Sequence, residues 1–159
     1  WPLLRASNEM PSAPPDLAAL IRARLPEPVH ALVPPPCLLD MQGEVVEYED
    51  GRALTMRFPV LPRYRNPLGN MQGGFIVAAL DNTIGPFSFL IAPPSATASL
   101  DAQYLRPVTS NDASITCRAW LVERTRNTLH IHAEARNEAG RIVGLAQSVS
   151  QILGERAPG

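Results

Sequence analysis

A chain of 159 residues with 45% hydrophobic and 18% charged residues has enough apolar material for one packed core. It is too apolar to remain disordered. Its formal charge is −1 and it contains no basic run, which argues against a nucleic-acid partner. All 14 basic residues are Arg, a side chain suited to bidentate phosphate contacts.

The chain opens with a proline-rich region: nine of the 17 prolines lie in residues 1–36. Residues 1–13 read as a loose arm, without the sustained apolar stretch of a secretory signal. "PPDLAALIRARLP" predicts a short helix with Asp16 as N-cap and Pro26 as stop, and Leu17, Leu20, Ile21 and Leu25 on one side. "VPPPC" predicts an extended connection. "MQGEVVEYE" and "RALTMRFPV" then read as a hairpin turned at Asp50-Gly51, with Leu54, Met56 and Phe58 on the dry face.

After a loop from Pro62 to Asn70, an apolar helix is predicted from Gly73 to Ile84, ended by Gly85-Pro86. Those breaks also argue against a membrane span, which needs about 20 uninterrupted apolar residues. Four strands follow: "TASLDAQYLRPV", "ASITCRAWLVER", "TLHIHAEAR" and "RIVGLAQSVSQIL". In the third, Leu129, Ile131, Ala133 and Ala135 alternate with polar residues, giving one dry and one wet face. Cys37 and Cys117 read as reduced, buried small hydrophobes. The expected fold class is α+β, an antiparallel sheet curled around the apolar helix.

That helix raises the chemical question. Phe75, Ile76, Val77, Ala78, Ala79, Leu80 and Ile84 leave it no polar stripe, yet it carries Asp81. An unpaired buried carboxylate costs several kcal/mol, of order 3–5. It should have a raised pKa, find donors or face a cavity, as a general base or nucleophile does. The other end of the helix offers free N–H groups and the positive end of the helix dipole. Gly73 and Gly74 leave those groups open to an electrophile, and the Gly73 N–H suits a carbonyl oxygen. Asp81 lies eight residues further on, about 12 Å along the axis. One helix cannot bring both groups to a small carbonyl, but two antiparallel helices from neighbouring subunits can.

"NPLGNMQGG", the Asp nine residues after Gln72, and "SLDAQYLRPV" resemble the hotdog-fold acyl-CoA thioesterases, most closely the phenylacetate-degradation type. The resemblance covers about residues 36–153, leaving residues 1–35 as an arm with a short helix and 154–159 as a tail. It implies a sheet wrapped around a long central helix, and homodimers that pair into tetramers with sites across the dimer interface. By the same resemblance, Asp81 attacks the thioester or activates water, the Gly73 N–H polarises the carbonyl, and Asn66 orients water or carbonyl. Gly74 and Gln72 border the substrate, and Ser99 holds water beside the acid. Apart from the resemblance, Arg106, Arg124, Arg126 and Arg136 are candidates for the CoA phosphates, with a solvated rim as the ordinary reading of each. Many members have His where this chain has Gln72, which hydrogen-bonds but cannot exchange a proton near neutral pH.

The resemblance thus implies an enzyme acting on an acyl-CoA with no metal or redox cofactor; the reduced cysteines read as cytoplasmic, and charge and the broken apolar run predict no nucleic-acid or membrane partner. CoA enters as part of the substrate. The alternative is a hotdog protein that binds acyl-CoA without turnover. A hydratase lacks a convincing His–acid pair here. The "HIHAE" stretch, with His130, His132 and Glu134 on one strand face, reads as a solvated surface in preference to a metal site.

Overall fold

The computed structural model describes residues 16–153; the arm at 1–13 and the tail from 154 lie outside them. Six strands form one antiparallel sheet: β1 (Glu44–Glu49), β2 (Ala53–Pro59), β3 (Ser95–Tyr104), β4 (Ser114–Arg124), β5 (Thr128–Asn137) and β6 (Ile142–Ile152). Their spatial order is β1-β2-β4-β5-β6-β3. Three α-helices accompany them: α1 (Leu17–Arg22), α2 (Pro36–Asp40) and the long α3 (Gly73–Ile91). The sheet curls around α3, which touches β2, β3, β4, β5 and β6.

The residues facing α3 explain how a flat sheet can enclose a helix. Leu54, Met56 and Phe58 on β2 are fully buried, as are Leu129 and Ile131 on β5. Between these larger side chains lies a belt of small ones. Ala119 pairs with Ala133, Cys117 with Ala135 and Ala133 with Ala146, so the helix axis can approach the middle of the sheet. From the other side, Ile76, Ala79, Leu80, Ile84 and Phe87 of α3 are each 3% exposed or less. This interlocking burial is the main stabilising term, at about 25 cal/mol per Å² of apolar surface removed from water.

Most expected elements form where the pattern places them, including the hairpin at Asp50-Gly51 and the dry face of β5. Asp16 caps α1, its Oδ1 accepting from the Ala19 N–H at 3.0 Å. Four expectations need correction. First, α3 does not stop at Gly85-Pro86 but continues to Ile91. Pro86 withholds only the N–H that the Asn82 carbonyl would have accepted. Burial of Phe87 and Leu90 beneath the sheet holds the last turns helical despite that loss. The helix is therefore unbroken over 19 residues and, with mean hydropathy 1.5, long and apolar enough to cross a membrane. Half of it is nevertheless covered by the rest of the fold.

Second, the "VPPPC" stretch is not wholly extended. A 3₁₀ helix (Glu27–Leu32) precedes it, and α2 starts at Pro36. Proline is favourable at a first helical position because its missing N–H would have no partner there. Third, β3 begins earlier than expected and ends at Tyr104, because Pro107 cannot donate to a ladder. Fourth, Cys37 is exposed on α2, its Sγ 3.5 Å from the Asn82 side-chain oxygen, whereas Cys117 is buried as expected. Burial pushes the Cys117 thiol far above its ordinary pKa, so it behaves as a hydrophobe. On α1, Leu17 and Ile21 are buried, but Leu20 is 39% exposed.

One glycine is required by the core itself. A Cβ at Gly43 would lie 2.5 Å from Leu38 Cδ1 and 2.6 Å from Phe58 Cε1. Phe58 is fully buried and has nowhere to move. Gly43→Ala should therefore destabilise the fold by about 1–3 kcal/mol, read as a lower urea midpoint at unchanged m-value.

Candidate functional site

The loop before α3 is built by Asn66. Its Oδ1 accepts from the backbone N–H of Leu68 at 3.0 Å and of Asn70 at 3.2 Å. Its own N–H donates to the Asn70 carbonyl, and the Gly69 N–H, at positive φ, donates back to the Asn66 carbonyl. This is turn chemistry of the ordinary Asn kind. It leaves the Nδ2 amide without a protein acceptor among the described residues. The Gln72 N–H then donates to the Tyr64 carbonyl at 2.7 Å and α3 begins. Gln72 occupies the N-cap position, but its side chain makes no capping bond and is exposed. The helix start thus remains uncapped by any side chain.

Around this helix start lies a cavity of about 530 Å³. Asn66, Gln72, Gly73, Gly74 and Arg106 all line it, together with Tyr104. Among the described residues Arg106 is its only charged lining residue, and Nη1 of that side chain donates to the Ile142 carbonyl at 2.7 Å. The two glycines are not equivalent. A Cβ on Gly73 would meet the Tyr104 ring at 2.8 Å, so close packing of the helix start explains that glycine. A Cβ on Gly74 would meet nothing within 4 Å. No contact among the described residues requires glycine there.

Asp81 stands elsewhere. It lines a second cavity, of about 550 Å³, that shares no residue with the first. The walls come from α1, the 3₁₀ helix, the C-terminal half of α3 and the start of β3, and are mostly apolar. Contrary to the expectation of a buried acid, Asp81 is exposed within its own chain. The sheet covers one side of α3, and Asp81 lies on the other. Its apolar surroundings still desolvate it, which raises its carboxyl above the usual carboxylate range. No hydrogen bond to its carboxylate occurs among the described residues, so nothing there opposes that shift. The uncovered stripe of α3 runs through Gly74, Ala78, Asp81 and Gly85. A Cβ on Gly85, like one on Gly74, would meet no neighbour.

Ser99 lies on β3 opposite Val149, exposed, and lines neither cavity. Ser95 and Thr97 instead border the Asp81 cavity, and β3 is bulged between Thr97 and Ser99. Phe89 also lines this pocket, while its neighbour Phe87 is fully buried in the core. Tyr104 was legible only as a strand residue; its contact with Gly73 joins segments that no local pattern connects. In the "HIHAE" stretch, His130 Nε2 lies 3.2 Å from Thr128 Oγ1, and His132 meets the Trp120 ring edge-on. Glu134 is paired with Arg136 at 2.7 Å.

Comparison with known proteins follows these features closely. Residues 68–143, from the loop before α3 into the start of β6, match the family model of the thioesterase superfamily. The resemblance to that superfamily stands. The fold is the hotdog, and three solved structures share it. The PaaI protein of the E. coli phenylacetic acid degradation operon is 16% identical, with a TM-score of 0.74 over 87% of this chain and 96% of that one. A putative thioesterase from Ralstonia eutropha JMP134, related to phenylacetic acid degradation, is 21% identical, with a TM-score of 0.70 over 86% and 98%. A Streptococcus mutans UA159 protein bound to acetyl CoA is 21% identical, with a TM-score of 0.66 over 72% and 91%. At these identities the likeness is one of fold. No curated protein sequence matches the chain.

Proposed function

We propose that this hotdog protein hydrolyses an acyl-CoA thioester at a site shared by two subunits. The observation that carries this reading is the division of the chemistry between two ends of α3. Amide donors and Arg106 surround one cavity, and an unpartnered, desolvated carboxylate borders the other. Either set alone is half of a hydrolytic site. An antiparallel pair of α3 helices, related by a two-fold axis near Val77 and Ala78, sets Gly74 of one copy against Asp81 of the other. The side-chain-free positions Gly74 and Gly85 allow such an approach, and the open edge of β3 extends the same surface.

In that arrangement the thioester carbonyl oxygen accepts from the Gly73 N–H, where the helix dipole favours developing negative charge. The free amide of Asn66 orients the carbonyl or the attacking water. Asp81 of the other subunit either attacks the carbon itself, giving an anhydride that water then cleaves, or takes a proton from the attacking water; on both routes the C–S bond breaks and the thiolate leaves as the CoA thiol. Arg106 faces the CoA phosphates. The enzyme is then a homodimer able to pair further into a tetramer, working in the cytoplasm with no cofactor beyond the CoA of its substrate.

Gln72 supports a second reading, acyl-CoA binding without turnover, because its exposed amide can hold a ligand but cannot relay a proton. Thiol release measured with several acyl-CoAs separates the two. Turnover that depends on Asp81 supports hydrolysis. Equal background rates in the parent and Asp81→Asn would leave only binding.

A further inference from the structure

We infer that the cavity beside Asp81 is the acyl compartment, and that the segment carrying Leu25, Val29 and Leu32 selects a medium-length aliphatic acyl chain over a ring-bearing one. This rests on the thioester reading above and adds the substrate class. If Asp81 acts on the thioester carbon, that carbon sits at the mouth of this cavity, and one arm of the substrate must enter it. The lining decides which arm. Among the described residues Asp81 is the only charged one in the walls, where apolar side chains such as Leu25, Val29, Leu32 and Leu153 outnumber a few uncharged polar ones, Ser95 and Thr97 among them. A phosphate placed there would lose its water and gain no cation. The CoA arm therefore leaves toward the cavity that holds Arg106, and the acyl arm enters the apolar one.

Size then decides the kind of acyl group. A dry cavity of about 150 Å³ lined by aliphatic and aromatic side chains holds benzene. Within one subunit the compartment beside Asp81 is about 550 Å³ and open on one side, so a single ring would leave much of its apolar wall uncontacted. A flexible chain can follow the wall and fill the space. The wall also has apolar surface to offer: Leu32 is 58% exposed and Leu153 51% exposed. Among the described residues Phe89 is the only aromatic side chain in the lining, so little there specifically favours a ring.

The test compares kcat/KM for acetyl-, butanoyl-, octanoyl-, dodecanoyl- and phenylacetyl-CoA in the parent and in Val29→Trp. The parent should gain about fourfold per added methylene from butanoyl to octanoyl, and prefer octanoyl-CoA to phenylacetyl-CoA by about tenfold or more. Val29→Trp, which fills the compartment, should lower the octanoyl-to-butanoyl ratio by at least about tenfold. That ratio is internal to each protein and independent of how much of the variant folds. Asp81-dependent hydrolysis with a flat chain-length profile, or with phenylacetyl-CoA preferred, overturns the inference and leaves the thioesterase reading intact. If no acyl-CoA is hydrolysed, calorimetric titration of Asp81→Asn with the same series decides. Affinity rising with chain length retains the compartment while retiring the turnover reading. Affinity that does not rise, or no binding, overturns the compartment.

Discussion

Asp81→Asn is expected to cut acyl-CoA hydrolysis about 1,000-fold while making the protein more stable at neutral pH. The first effect follows from the role proposed for the carboxylate, since an amide neither attacks a thioester nor accepts a proton from water. The second follows from its surroundings. Apolar walls hold the folded-state pKa of Asp81 above the value it has in the unfolded chain. Between those two pKa values the folded protein binds more protons than the unfolded one. Stability therefore falls as pH rises through that window, and the penalty is fully present above the folded pKa. Asparagine carries no charge and escapes it. Melting curves from mildly acidic to neutral pH should decline for the parent and stay flatter for the variant. In the same range kcat of the parent should rise as the carboxylate form accumulates. A variant that melts lower than the parent at neutral pH would show that Asp81 is held by partners, not strained by desolvation.

Gly74→Val should separate the needs of the folded chain from those of the assembled site. Gly74 is exposed, its φ lies in the ordinary range, and a side chain there meets nothing in its own subunit. Valine has a slightly higher helix propensity than glycine, so the protomer should keep its circular dichroism. If the uncovered stripe of α3 is where two helices meet, the added side chain pushes the partner's Asp81 away from the thioester. A displacement of about 1 Å can cost about 100-fold in rate. We expect that loss of activity, together with a shift toward monomer in sedimentation. A Gly74→Val protein that stays fully active and dimeric would place the stripe outside the interface.

What was legible in the sequence follows from which forces act locally. Alternation on β2 and β5 reports a one-sided sheet directly, and Asp50-Gly51 and Asp16 are local turn and cap signals. The end of α3 was not legible. Gly85-Pro86 is a helix stop by local rules, and only burial of Phe87 and Leu90 by distant strands overrides it. Asp81 meets the expectation of a cavity and a raised pKa, while the expected burial against a second subunit concerns the assembled protein. An all-round apolar helix reads as buried on all sides, yet a single subunit covers only one of them. Asn66, Gln72, Gly73, Gly74 and Arg106 do line one cavity, although Asn66 also serves the turn and Gly73 also makes room for Tyr104. Ser99 rests on the resemblance alone; within one subunit it is exposed on β3 and lines neither cavity. The acyl compartment is not legible in the sequence, because the 3₁₀ segment that walls it (Glu27–Leu32) falls between the expected helix ending at Pro26 and the expected extended connection, where no local pattern assigns an element.

Mixing two inactive variants tests the shared site most directly. Asn66→Ala and Asp81→Asn are each expected to be inactive alone, having lost opposite halves of the site. Unfolded together and refolded in equal amounts, they form mixed dimers in which one of the two sites combines the intact Asn66 of one chain with the intact Asp81 of the other. For random pairing in a two-fold dimer, about a quarter of parental thioesterase activity should return. If the mixture contains mixed dimers and remains as inactive as its components, each site draws both residues from a single chain, and a site shared between subunits is contradicted.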